Sequence, residues 1–289
     1  MALAGAENTI LYQEEWENQL QARLTEQTKW KDICKVEYTN TRVLHYDYLT
    51  DPTVSTGTRG CEYTFNKVIQ NNETITINNY FTAPSFIDRA DLAQSKFTSL
   101  MDLAARQGVL INEKIENYLF SQIPTLTLFD GDEIGGSAGS ITVSVTNIDN
   151  IITGVWREIQ EASGDALFNQ YGGFFVWRPS DFEKLVQFRM ANGFTEADKA
   201  LKDGGKQGME YAGFTHYSSN QLGTAPGRVV AGVKKLWHLG ILKGTYGKVV
   251  INDKDPGQVS GVSVVSRVDV EAKAWNNTKA VLFHVAVVA

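Results

Sequence analysis

The spacing of apolar and polar positions changes several times along this chain, and each change predicts a different element. Residues 1–33 are polar and acidic. Within them Trp16, Leu20 and Leu24 recur every fourth residue, which predicts an amphipathic helix over 14–27. No second apolar segment adjoins it, so it reads as an arm that docks elsewhere, on its own chain or a neighbour. Residues 35–44 alternate through Val36, Tyr38 and Val43, a strand pattern.

Residues 46–81 form a long polar excursion. Val54, Tyr63, Phe65, Val68, Ile75, Ile77 and Tyr80 are spread among Thr, Asn, Gly and Pro. Strand formers bounded by turn formers predict a hairpin. Its middle is too poor in apolar residues to build a core, and an isolated hairpin is marginal in water. The expected element is a protruding β-flap whose stabilising surface lies on another copy of the chain.

A helix follows. Asp91 with Gln94 gives a capping box, and Phe97, Leu100, Ala104, Gly108, Ile111, Ile115 and Tyr118 step by three or four along one face. Pro124 ends it. Residues 95–121 would span ~40 Å at 1.5 Å per residue. Ile111 and Ile115 are expected to be buried, and Glu116 to lie on the opposite, solvated face. After the Gly-rich stretch 130–140, a second helix over 147–162 carries Ile148, Ile151, Val155 and Ile159. Residues 172–177 read as a buried strand, and Phe182, Leu185 and Val186 as a short helix ended by Gly193. Residues 194–228 are turn-rich, and β-branched strands dominate from Val229, with long runs at 262–272 and 279–288. Strands, a long helix, a mixed middle and terminal strands make an α+β chain.

Composition changes this picture little. The 289 residues are 43% hydrophobic and 21% charged, and the net charge of −6 gives no support to a basic nucleic-acid face. Cys34 and Cys61 form no CxxC pair, which fits a reducing cytoplasm better than secretion. The N-terminus lacks the basic and apolar regions of a signal peptide, and the longest apolar run is far shorter than the ~20 residues of a membrane helix.

Chemistry is sparse. His45, His216, His238 and His284 show no close metal spacing, and His284 lies in an apolar strand as a packed or edge residue. No GxSxG elbow occurs. The glycine runs at 135–142 and 244–249 lack the GxxxxGK[ST] spacing and read as linker and tight turn. Asp130, Asp132 and Glu133, like Asp253 and Asp255, are close carboxylates that could hold a cation, but Asp and Gly also favour plain turns. Lys234 and Lys235 beside Trp237 are too few for a nucleic-acid cluster. No catalytic, cofactor-binding or metal-ligating residue is therefore expected, and no cofactor. An enzyme with an unusual site near 130–133 remains the reading from another class.

The order of parts is specific. Residues 87–120, IDRADLAQSKFTSLMDLAARQGVLINEKIENYLF, preceded by TRVLHYDYLTDPTVSTGTRGCEYTF and followed by GGFFVWRPSDFEKLVQF and HYSSNQL, resemble the major capsid proteins of tailed bacteriophages, which have the HK97-type fold. The resemblance spans nearly the whole chain, and encapsulin shells share that fold. It implies an N-terminal arm at 1–34, a peripheral-domain strand at 35–45 and an extended loop (E-loop) at 46–81. The spine helix would lie within a peripheral domain at 82–124. An axial domain would occupy 125–260, with C-terminal peripheral strands at 261–289. It implies a virion shell built of pentamers and hexamers of this chain in the host bacterial cytoplasm. That shell would enclose dsDNA without sequence-specific binding, helped by a portal and by decoration or cement proteins. The arm begins almost at once, which implies a separate scaffolding protein or a processed chain. Lys67 lies in the flap, where some family members carry a crosslinking lysine.

Overall fold

A computed structural model of the chain describes residues 28–54, 56–57, 59–60, 65, 67–88, 100–191, 208–222, 228–246, 248–254, 261–276 and 278–288. The expected arm helix at 14–27, the Asp91 capping box, Phe97, Cys61 and Asp255 fall outside the described residues.

The first sheet is built around β12 (Gly261–Ala274), a 14-residue strand rich in β-branched residues. One edge of β12 pairs with β4 (Asn79–Asp88) over ten residues. The other edge takes two strands end to end, β11 (Val249–Lys254) and β10 (Trp237–Leu242). Parallel to β10 runs β1 (Lys35–Thr39), preceded by the single turn α1 (Trp30–Ile33). The expected strand over 35–44 is thus two strands. Thr39 Oγ1 accepts the Thr41 N–H at 3.0 Å, and this turn redirects the chain into β2 (Val43–Leu49).

The long helix α2 (Leu100–Ser121) lies against β4 and β12. Its 22 residues span ~33 Å. Gln107 fixes one end: its Nε2 donates to Ser85 Oγ and to the Val264 carbonyl, and its Oε1 accepts from Ser266 Oγ. A buried amide with both ends satisfied stabilises the contact instead of costing it. Tyr118 fixes the other end, donating its hydroxyl to Glu271 while accepting from Asn79.

The second sheet runs β5 (Thr127–Phe129), β13 (Leu282–Ala286), β9 (Arg228–Val233), β6 (Gly173–Trp177), β8 (Phe214–Ser218) and β7 (Met209–Tyr211). The expected terminal strand over 279–288 is shorter, because residues 279–281 form a 3-10 turn. Every residue of β6 is buried, as a strand covered on both faces requires. Three helices accompany this sheet: α3 (Ile148–Glu161), α4 (Asp165–Tyr171) and α5 (Pro179–Ala191). The expected stripe Ile148, Ile151, Val155 and Ile159 is buried. So are Ile111 and Ile115 of α2. One apolar core is continuous from Trp237 and Val268 of the first sheet to Phe175 and Val230 of the second.

Candidate assembly surface

The third sheet is a two-stranded hairpin, β2 with β3 (Gln70–Thr76). Its register runs from Val43↔Thr76 to Leu49↔Gln70, and Thr50 N–H donates to the Ile69 carbonyl at 2.9 Å beyond it. The root of the hairpin belongs to the subunit. Leu44, Ile75 and Ile77 press on Gly240 of β10, where a Cβ would stand 3.1 Å from Leu44 Cδ1. Tyr46 lies 4.4 Å from the Trp275 ring and 5.2 Å from that of His238. Lys273 Nζ donates to the Thr74 carbonyl at 3.0 Å. Ile75 and Ile77 are each only 2% exposed, so these two residues, expected in a flap without intramolecular cover, are core residues instead.

Away from the root the cover ends. Val54 is 95% and Phe65 93% exposed, and Leu49, Val68 and Ile69 are exposed as well. Several large apolar side chains on one projection mark an interaction surface, whereas single ones do not. Lys67 stands exposed among them.

The remaining candidates are structural. His216 is buried, accepts from Trp177 Nε1 at Nδ1 (2.9 Å) and so donates from Nε2 to the Tyr211 carbonyl (3.2 Å). Burial holds its pKa down at about 3, so it is a neutral packing group. His238 is lowered to about 4, by burial first and then by Lys35. His284 is lowered by burial and Arg228, and His45 sits on the exposed hairpin with Nδ1 3.2 Å from Asn72 Oδ1. The four do not converge. Asp130 accepts the N–H groups of Asp132 and Gly139, which hold its pKa down, and Glu133 accepts the Asp130 N–H at 2.7 Å. Its carboxylates are turned on their own backbone, as a loop-closing turn requires. Residues 244–246 form a turn on the Leu242 carbonyl. Lys235 Nζ caps α1 through the carbonyls of Lys31 and Cys34, Lys234 Nζ donates to Thr215, and Trp237 is buried. Among the described residues no group of three or more His, Cys, Asp or Glu could hold a metal, and no helix is long and apolar enough to cross a membrane.

Glu116 corrects the expected helix register. It is 0% exposed. Its Oε2 accepts the backbone N–H of Lys29 at 2.5 Å and its Oε1 accepts Ser219 Oγ at 3.2 Å. A second buried row, Glu116 and Phe120, flanks the row of Ile111 and Ile115, because α2 is covered by the N-terminal segment and the loop after β8 as well as by the sheet. The spacing of Glu116 to Phe120 (i, i+4) was the available signal.

No protein-family model matches the chain, and no curated protein matches it. Solved structures do. A structure of Mycobacterium phage Che8 superposes with a TM-score of 0.73 at 15% identity, covering 96% of this chain and 98% of that one. The capsid of Ralstonia phage GP4 gives 0.67 at 11% identity, covering 100% and 98%. The chain has a phage-capsid fold. A virus-like particle from Pyrococcus furiosus is more distant, at 0.56 and 12% identity over 90% and 92%. The α+β architecture, read from the pattern of elements, agrees with these likenesses, which run almost from end to end.

Proposed function

We propose that this chain is the structural subunit of an icosahedral bacteriophage capsid, self-assembling into pentamers and hexamers around a dsDNA genome. The observation that carries this reading is the hairpin that is rooted in its own subunit and carries uncovered apolar residues beyond it, on a chain whose whole length shares the fold of phage-capsid structures. In this reading residues 1–34 are an arm and the strand at 35–45 starts the peripheral domain. The projection within 46–81 is the extended loop, and α2 is the spine of a peripheral domain at 82–124. Residues 125–260 form the axial domain and 261–289 return to the periphery. The role is structural and not catalytic. The expected setting is a virion assembled in a bacterial cytoplasm, with a scaffolding protein, a portal and decoration proteins as partners.

Closed symmetry repeats each modest contact many times. The acidic net charge of −6 suits a wall that confines nucleic acid without binding it tightly. The likeness to a virus-like particle supports a second reading, an encapsulin-like shell that houses cargo enzymes.

Electron microscopy of the purified chain, alone and with a scaffolding protein, tests assembly. Closed shells or capsomers are expected. A chain that stays monomeric at high concentration under both conditions rules the shell reading out. Nucleic acid inside shells from the native source separates a capsid from a cargo compartment.

A further inference from the structure

The hairpin meets its own subunit in two layers. In the inner layer the side chains of Leu44, Ile75 and Ile77 pack on the bare backbone of Gly240. The next layer out is polar. Tyr46, paired with Glu73 across the hairpin, sets its ring 4.4 Å from that of Trp275 and 5.2 Å from that of His238, and these two rings lie 5.1 Å apart. Four atoms of this layer are closed off from solvent and make no hydrogen bond: Tyr46 Oη, Trp275 Nε1, His238 Nδ1 and Glu73 Oε2. Each such group lowers the stability of the closed arrangement. The outer layer therefore carries a cost that the apolar layer beneath it does not.

The charges around His238 are already matched. Its register partners on the flanking strands are Lys35 of β1 and Lys273 of β12. Lys35 pairs with Glu37 at 2.9 Å, and Lys273 with Glu73 at 3.4 Å. The same two ammonium groups stand over the rings of Tyr46 and Trp275. Glu37 Oε1, 3.5 Å from His238 Nδ1, is the oxygen that Lys35 holds. Glu271, the next residue on that face of β12, is engaged by Tyr118 and Asn79. A proton on His238 thus brings a third cation to two carboxylates that two lysines already share. Burial first, and then Lys35, hold its pKa down at about 4, so the closed layer resists that proton.

We propose that the outer layer of the hairpin root is an acid-released latch: a proton taken up by His238 parts Tyr46 from His238 and Trp275, and the hairpin pivots on the Leu44–Ile75 layer while both large sheets stay folded. Opening returns the four stranded polar atoms to water and gives the imidazolium a solvated site. The device lies within one subunit and does not rest on the assembly reading.

Exchange of the Trp275 indole N–H in the full chain, held as the dissociated subunit, tests this. That N–H is shut off in the closed root, so its exchange reports opening even where the open form is rare. NMR follows it from pH 7 to pH 4, each rate normalised to free N-acetyltryptophanamide at the same pH. The Trp177 indole N–H, bonded to His216 in the other sheet, reports global unfolding. In the open root His238 takes up its proton near its ordinary 6.5, and in the closed root near 4. Between these values the open form binds more protons, so normalised exchange at Trp275 should rise by about tenfold for each pH unit lost. Trp177 should stay much more protected throughout. In His238→Gln the rise at Trp275 should vanish. A flat wild-type profile overturns the proposal, as does a rise that survives in His238→Gln. Equal normalised rates at Trp275 and Trp177 overturn it too, because the root would then open only when the whole subunit unfolds. Should His238→Gln fail to fold, the comparison of the two indoles in the wild type decides.

Discussion

The Glu116 carboxylate receives the backbone N–H of Lys29 at 2.5 Å across 87 residues of sequence, and so ties the segment just before α1 to α2, the longest helix among the described residues. The same carboxylate receives Ser219 Oγ, while Ser219 Oγ in turn accepts the Gln221 N–H and Ser219 N–H donates to the Trp177 carbonyl. One side chain thus joins the N-terminal segment, α2 and the end of β8. It lies at the junction of the two large sheets.

Glu116→Ala should destabilise the subunit by about 1–3 kcal/mol, because it leaves the Lys29 N–H and the Ser219 hydroxyl buried without their acceptor. Glu116→Gln keeps one acceptor oxygen and should lose less. Thermal melts of the three proteins check the order wild type, Gln, Ala. An Ala variant that melts with the wild type would show that the junction is wet and the bond unimportant.

The helices were readable because a single buried face imposes its period on nearby residues. The stripe Ile148–Ile151–Val155–Ile159 needed nothing beyond α3 itself. Glu116 could not be read that way: its burial depends on donors 87 and 103 residues away, and a lone glutamate on a helix is usually solvated. Ile75 and Ile77 misled for a related reason. Their partner is the bare backbone of Gly240, and a glycine gives no apolar signal in a sequence. The candidate assembly surface was readable in outline, since Val54 and Phe65 stand among polar residues with no local periodicity. Where the hairpin stops being core was not, because that boundary lies at the ring contacts of Tyr46 with Trp275 and His238.

Two changes to the hairpin should separate folding from assembly. Deleting residues 52–60 should leave the melting temperature of the dissociated subunit nearly unchanged, since its described residues are exposed and bury little apolar surface. Assembly should fail or slow. Ile75→Asp should instead destabilise the subunit by several kcal/mol, because it buries a carboxylate against Gly240 and Leu44. Unfolding of the deletion variant would mean that the projecting part also belongs to the subunit's own core.

Gly232 of β9 has φ +150, and a Cβ there would stand 2.4 Å from the Val281 carbonyl oxygen and 3.0 Å from Leu282 Cα. Both obstacles are backbone, so neither can swing aside as a side chain would. Gly232→Ala should cost more than about 2 kcal/mol. Gly108→Ala, in open space on α2, should be neutral or stabilise by up to about 1 kcal/mol, as Gly to Ala in a helix does. Chemical denaturation of the two variants reads the contrast, and equal midpoints would contradict the β9–β13 packing.

Acid should act on this fold through His216. Burial holds its pKa down at about 3, against 6.5 for the free side chain. Between these values the unfolded chain carries the proton and the folded chain does not. The unfolded state therefore binds more protons, and stability rises with pH across that window. Stability is complete above about pH 6.5 and is lost progressively as pH falls toward 3, by on the order of a few kcal/mol from this group. His238, lowered to about 4, adds a smaller loss with the same sign. His216→Phe removes the titrating ring and also the hydrogen bonds to Trp177 Nε1 and the Tyr211 carbonyl, so it should be less stable at pH 7. Its stability should then fall less steeply between pH 6.5 and 4 than that of the wild type. Urea denaturation of both proteins at several pH values across this range measures the two slopes. Parallel slopes would show that His216 takes up its proton without unfolding the chain, and that carboxylates alone set the acid limit.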